Sequence, residues 1–231
     1  MRSKPVLKYL LLPSIFLLII CFLVLKYIPL TKTGFIEQWL KSYPRQNLSI
    51  TAQDSFYQKL SDAAIERSKH TVRYVPDYVI ISYPMGDVPS STGVCTDEII
   101  RAYRTLGIDL QVEVHEDMKK HFVQYPKIWG RLRPDSNIDH RRVPNLMTFF
   151  KRNGIALPIT KKAEDYSPGD IVSWDLGGGL THIGIVVNER GKEGKRFKIM
   201  HNIGNGPKLD DRLFAWKIIG HFRYNGRKIN N

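Results

Sequence analysis

Cysteine is nearly missing from this sequence: among 231 residues only Cys21 and Cys95 carry a thiol. Cys21 lies inside a long apolar run and Cys95 far outside it, so the two cannot pair, and a disulfide-stapled fold is excluded. Zinc-type cysteine and histidine spacing is also lacking, and the seven histidines are scattered, which argues against a metal centre. The glycine run in "DLGGGL" lacks the Lys-Ser/Thr and the following helix that a phosphate loop requires. No internal repeat or low-complexity stretch occurs, and no motif calls for a cofactor.

Acidic residues are the scarce charge, with Asp+Glu at 22 against Lys+Arg at 35 and a formal charge of +13. The first thirty residues hold none of them: Arg2, Lys4 and Lys8 precede an apolar run from Tyr9 to Leu25 that Lys26 closes. At 1.5 Å per residue that run reaches about 25 Å, enough to span a bilayer's hydrocarbon. A small-residue cleavage site is missing after it, and Ile20, not a small residue, precedes Cys21. These features predict an uncleaved single-pass anchor at residues 1–30 with a cytoplasmic N-terminus, a linker at 31–53, and a folded domain at 54–231 outside the membrane. The exported part keeps a charge of +9, which disfavours nucleic acid as partner and favours an anionic envelope surface. A generally basic, solvated surface with no dedicated partner explains the same charge.

Composition suits a globular domain, with 42% hydrophobic and 25% charged residues. Apolar spacing predicts helices from about Ser55 to Ser68, from Cys95 to Leu106 with Gly107 as a stop, and over "VPNLMTFFKRNG". "VRYVPDYVIISYP" reads as extended, while residues 108–142 read as polar and irregular, with a short helix over "VHEDMKKHF" and a long surface loop after it. "DIVSWDL", "HIGIVVNE", "RFKIMHNI" and "GHFRY" read as short strands. Helices first and strands afterwards predict an α+β domain with a mostly antiparallel sheet.

Cys95 carries the chemistry. With Ser91 or Thr92 as N-cap it falls in the first turn of a helix, where free amides and the dipole lower a thiol pKa and can stabilise an oxyanion. A buried core cysteine is the alternative. A thiol nucleophile needs a base, and the base an orienter. His182 opens an apolar strand directly after the glycine-rich turn, and His201 or Asn202 in the next strand is the candidate orienter. Being adjacent in a strand, these two face opposite ways, so one of them reaches the site. His140, Arg141 and Arg142 in the long loop suit carboxylate recognition. An ion-pair cluster with Asp135 or Asp139 accounts for them equally. Asp87 and Asp97 are further substrate-binding candidates, although a turn residue and a first-turn acid explain them too.

These motifs carry two resemblances. The order of a cysteine at a helix start, then Pro168, Gly169, Asp170, Ile171 and Val172, then His182, Ile183, Gly184 and Ile185, then a histidine ending the next strand, resembles the NlpC-type cell-wall hydrolases of the papain-like cysteine peptidase group. The resemblance implies a papain-like fold, with Cys95 as nucleophile, His182 as base and His201 as third polar residue. It departs from the usual pattern at the cysteine, where Val94 stands for the expected Asp, and Thr96-Asp97 for a small Ser-Gly pair. From about residue 50 to 225, "YPMGDVPSSTGVCTDEIIRAYR", "DSNIDHRRVPNL", "HNIGNGPK" and "GHFRY" resemble the bacterial domain-of-unknown-function family 1287. Together they imply a thiol hydrolase on the outer side of a bacterial cytoplasmic membrane that cleaves an amide bond in peptidoglycan stem peptides or another envelope peptide. A non-catalytic wall-binding or envelope-protein-binding module and an acyltransferase using the same cysteine are the alternatives.

Overall fold

The computed structural model describes residues 52–226. The anchor predicted at residues 1–30 and nearly all of the linker predicted at 31–53 lie outside them. Among the described residues no helix is long and apolar enough to cross a membrane.

Helices come first: α1 (Ala52–Arg67), α2 (Cys95–Arg104), α3 (Leu110–His121) and α4 (Val143–Asn153). A two-residue parallel pair, β1 (Arg73–Tyr74) with β2 (Thr92–Gly93), precedes α2. The remaining strands are β3 (Ile155–Ala156), β4 (Ile171–Gly177), β5 (Leu180–Arg190), β6 (Phe197–Asn202), β7 (Pro207–Asp210) and β8 (Lys217–Arg223). They form one six-stranded sheet in the order β3-β8-β4-β5-β6-β7, antiparallel at every pairing. The α+β class expected from the sequence is therefore observed.

Local chemistry explains the helices. In α4, Leu146, Phe149 and Phe150 recur at helical spacing and are fully buried, with Pro144 in the first turn and Gly154 at the end. In α2, Ile99, Ala102 and Tyr103 make the buried stripe. Gly107, at φ +78°, then turns the chain so that the amides of Gly107 and Ile108 donate to the carbonyls of Arg104 and Tyr103. Alternation along the sheet builds two cores. Ile183, Ile185 and Val187 of β5 pack with Cys95, Tyr103, Leu146 and Phe150 on the helix side. Val172, Trp174, Val186 and Ile199 pack with Tyr166 and Leu213 on the reverse side. Both faces of the central strands are covered, which is why those strands read as continuous apolar runs.

Two expectations differ from the structure. The segment read as extended, residues 72–84, forms a strand only at Arg73–Tyr74. Pro76 and Pro84 interrupt it, and amides late in it and just after it are satisfied by side chains instead of a ladder: Ile81 donates to Asn137, Met85 to Asp109 and Gly86 to Gln111. The short helix expected over "VHEDMKKHF" is present but starts earlier: the twelve-residue α3 begins at Leu110, its N-terminus is capped by the Asp109 side chain, and its buried stripe is Leu110, Val114 and Met118. Charged residues between those positions mask the period.

Gly184 is required where β5 meets β6. A Cβ there would stand 2.5 Å from Ile199 Cγ2 and 2.8 Å from the Met200 carbonyl oxygen. Gly184→Ala should therefore destabilise the domain by about 1–3 kcal/mol through overpacking, seen as a lower urea midpoint with an unchanged slope. A wild-type midpoint would show that the strands part without cost.

Candidate active site

Cys95 is the first residue of α2, but its N-cap is Val94, in extended conformation, not Ser91 or Thr92. The Thr92 hydroxyl is turned back to the Pro89 carbonyl at 3.0 Å, and Gly93 is paired with Tyr74, so the chain enters the helix extended. Asp97 replaces the missing hydroxyl cap by accepting the Val94 amide at 2.7 Å.

The thiol is 4% exposed. Burial, reinforced by the nearby Asp97 carboxylate, pushes its pKa up to about 12, although the amides of Ile183, Thr96 and Cys95 itself are directed at the sulfur. This corrects the expectation of a thiol acidified by its helix terminus: desolvation outweighs the amides, and the resting group is a neutral thiol.

The two histidines of the expected triad meet. His182 Nε2 and His201 Nδ1 are 2.7 Å apart, and His201 Nε2 lies 3.1 Å from Asp210 Oδ2. Burial raises the Asp210 pKa, but Lys208, 3.0 Å from the same oxygen, and His201 outweigh burial and keep the carboxyl below its ordinary value. An ionised Asp210 only accepts, which assigns every proton behind it. His201 donates from Nε2 and accepts at Nδ1, so His182 donates from Nε2 and keeps a lone pair on Nδ1. Burial, aided by His201, pulls the His182 pKa down to about 3. Burial also lowers His201, partly offset by Asp210.

Strand alternation sets the thiol and the imidazoles on opposite faces of β5. Val186 donates its amide to Asp170 at the head of β4, so the amide of Ile183, an odd number of residues away, points to β6. The β5–β6 ladder ends at Ile185 and Met200 on this side. The Ile183 amide, having no ladder partner there, meets the Cys95 sulfur from the helix face. On the reverse face His182 packs 5.8 Å from Trp174 and 6.0 Å from Trp216, ring centre to ring centre. Among the described residues no hydrogen bond joins Cys95 to His182; they are linked through the His182–Ile183 peptide.

Asn202, the other candidate orienter, faces the helix side, donates to the Gly93 carbonyl at 3.4 Å and accepts from Gly204. It braces the turn before Cys95 and does not meet His182. The proposed substrate ligands separate. Arg141 grips Asp97 at 2.8 and 3.1 Å, with both side chains buried, and reaches the Asp77 carbonyl. The ion-pair alternative thus applies, with Asp97 as partner instead of Asp135 or Asp139. Asp87 is taken by Arg101 at 2.9 and 3.2 Å. His140 is buried, its Nδ1 lacks a hydrogen-bond partner, and burial, with Arg104 and Arg141 nearby, pulls its pKa down to about 3.

Cys95 opens onto a cleft of about 540 Å³ walled by Tyr74, Trp129, Arg131, Arg142 and the β4–β5 turn at Gly179–Thr181. An adjoining apolar hollow of about 460 Å³ between α4 and β8 holds one titratable imidazole, His221, which is bonded to Asp170 and the Pro158 carbonyl. Among the described residues no cluster suits a metal ion. Asp210, Trp129 and Arg131 were not visible as site residues from sequence. Asp210 could have been found from the hairpin turn "IGNGP", because pairing of His201 with Lys208 puts residue 210 one diagonal step away on the same face.

A helical layer presenting one cysteine to an antiparallel sheet with a histidine pair defines the class of domain. The chain belongs to the family described as Domain of unknown function (DUF1287), whose model matches residues 61–224. It is similar to the Uncharacterized protein YijF of Escherichia coli (strain K12), 46% identical over 192 residues that cover 83% of this chain and 93% of that protein. No solved structure matches.

Two outcomes follow from the protonation states. His140 and His182 are neutral in the fold down to about pH 3 and protonate near 6.5 when unfolded. The unfolded chain therefore binds more protons in that window, and stability falls as pH drops from about 6.5 toward 3, by up to about 1.4 kcal/mol per pH unit for each histidine. His140→Phe should flatten the fall in melting temperature between pH 7 and 5; an unaltered slope would show that His140 is charged in the fold. Alkylation of Cys95 by iodoacetamide should keep rising above pH 9. A plateau below pH 7 would instead reveal a stable thiolate.

Proposed function

We propose that this chain is a thiol hydrolase of papain-like, NlpC-type fold, held at the bacterial cytoplasmic membrane by residues 1–30 and acting on its outer side on an amide bond of peptidoglycan stem peptides. The observation that carries the reading is the proton relay. Asp210, His201 and His182 are ordered so that the bare Nδ1 belongs to the residue next to Ile183, whose amide holds the Cys95 sulfur.

Chemistry follows from the neutral resting pair. As Cys95 Sγ attacks the substrate carbonyl, its proton passes to His182 Nδ1, and the imidazolium is stabilised through His201 by Asp210. The Thr96 and Cys95 amides at the start of α2 are donors for the oxyanion. His182 returns the proton to the leaving amine, the acyl-enzyme forms, and water activated by the same nitrogen releases the acid. Before substrate binds, Cys95 and His182 stand on opposite faces of β5, so this transfer requires the end of β5 beyond its ladder with β6 to turn the His182 ring toward the sulfur in the complex.

A second reading, a non-catalytic envelope-peptide-binding module, is favoured by the missing thiol–imidazole bond. Turnover separates the two. With purified stem peptides, Cys95→Ala should abolish product, and His182→Ala should lower kcat by about 10²–10⁴-fold, with melting temperatures near wild type. Intact mass should show the acyl adduct in the wild type. Full activity in folded Cys95→Ala would sink the hydrolase, and peptide binding without any product would establish the module. Added amine that captures the acyl group would move the reaction to transfer.

A further inference from the structure

The cleft in front of Cys95 is lined by three arginines and by no carboxylate. Two of the three are already matched. Arg141 spends its guanidinium on Asp97 and the Asp77 carbonyl, and Arg131 lies 3.2 Å from Asp135. Arg142 differs. Its closest acid, Asp139, stands 3.8 Å away, and among the described residues its guanidinium donates no hydrogen bond. Its side chain is only 15% exposed, and the guanidinium is stacked 4.0 Å from the centre of the Trp129 ring. A half-desolvated cation with its N–H edge unspent strongly favours an anion that can fill it. The ring covers one side of the guanidinium, and the N–H groups that remain can take the two oxygens of a carboxylate.

We propose that Arg142 is the specificity-determining residue of this cleft and receives a free carboxylate of the substrate, so that the chain selects acidic peptides carrying a carboxylate near the scissile carbonyl. This rests on the reading of the Cys95 cleft as the substrate site, and it narrows carboxylate recognition from the His140–Arg142 group to Arg142, since Arg141 is paired with Asp97. Trp129 packs against the guanidinium, and Asp139, Arg131 and Asp135, itself 3.2 Å from Arg131, are the charges that face it.

The test compares iodoacetate with iodoacetamide, which differ by one carboxylate, on the full-length chain in non-ionic detergent at pH 9. Peptide mass mapping reads the modification of Cys95 separately from Cys21. The iodoacetate-to-iodoacetamide rate ratio at Cys95, divided by the same ratio for glutathione, should be about 3–10-fold above unity, the scale of one cation–anion contact in a partly solvated cleft. Arg142→Gln should bring it to about one; any loss of thiolate on removing the cation lowers both rates alike and cancels in the ratio. Arg142→Lys should retain most of it, and Arg131→Gln should leave it within about twofold. A normalised ratio at or below one in the wild type, a ratio that survives Arg142→Gln, or a Cys95 inert to both reagents overturns the proposal. Should Arg142→Gln fail to fold, the wild-type ratio decides: it must fall as sodium chloride rises from 0.05 to 0.5 M, and a salt-independent ratio overturns the assignment. The ratio is read without turnover, so failure of the peptide assay and failure of the Arg142 assignment are separate results.

Discussion

One buried ion pair joins the parts that make the cleft. Asp97, in the first turn of α2, meets Arg141, in the short helical turn at residues 139–141, and neither is open to water. The same carboxylate accepts the Val94 amide, the same guanidinium reaches the Asp77 carbonyl, and the Thr96 hydroxyl donates to the Arg141 carbonyl at 3.0 Å. Three segments distant in sequence are thereby pinned around Cys95. A pair of this kind adds little net stability compared with apolar packing, but losing one partner leaves a bare buried charge and costs about 3–5 kcal/mol. Its contribution is definition. The helix start, the 72–91 segment and the wall that carries Arg142 hold one relative arrangement.

Given that arrangement, the site is governed by dehydration more than by polarisation. The helix terminus and the Ile183 amide favour a thiolate, but burial disfavours it more. Trp174 and Trp216 do the same to His182. Neutral partners on opposite faces of a parted strand pair form a different starting state from a preformed thiolate–imidazolium pair. The hydrogen-bond chain directs a lone pair on His182 Nδ1, and Asp210 sets that direction from two imidazoles away.

The sequence made the class of fold legible because it is written in long-range pattern: helical spacing before residue 154, apolar runs after residue 170. It made Cys95, His182 and His201 legible because each stands at the boundary of a strong pattern. What it hid was pairing. Asp97 and Arg141 looked like ligands because forty-four residues separate them and nothing local shows that each satisfies the other. The cap was misplaced because Thr92 had a nearer acceptor in Pro89. The thiol pKa was misjudged because exposure is a property of the packed chain, whereas helix position can be read from a string. Asp210 belongs to a four-residue strand, too short to leave a periodic signal.

The turn that borders the cleft is built from Gly177, Gly178 and Gly179, at φ +86°, +60° and +81°. Space around all three is open, so only backbone conformation excludes other residues there. Three glycines in a row surrender much chain entropy on ordering and contribute no side chain to either core. Local opening at this end of the β4–β5 ribbon therefore costs little in lost side-chain packing. The turn lies four residues from the amide that grips the sulfur. Fraying that reached Ile183 would withdraw this amide from the sulfur, and amide exchange at Leu180 and Thr181 would report how often the ribbon opens.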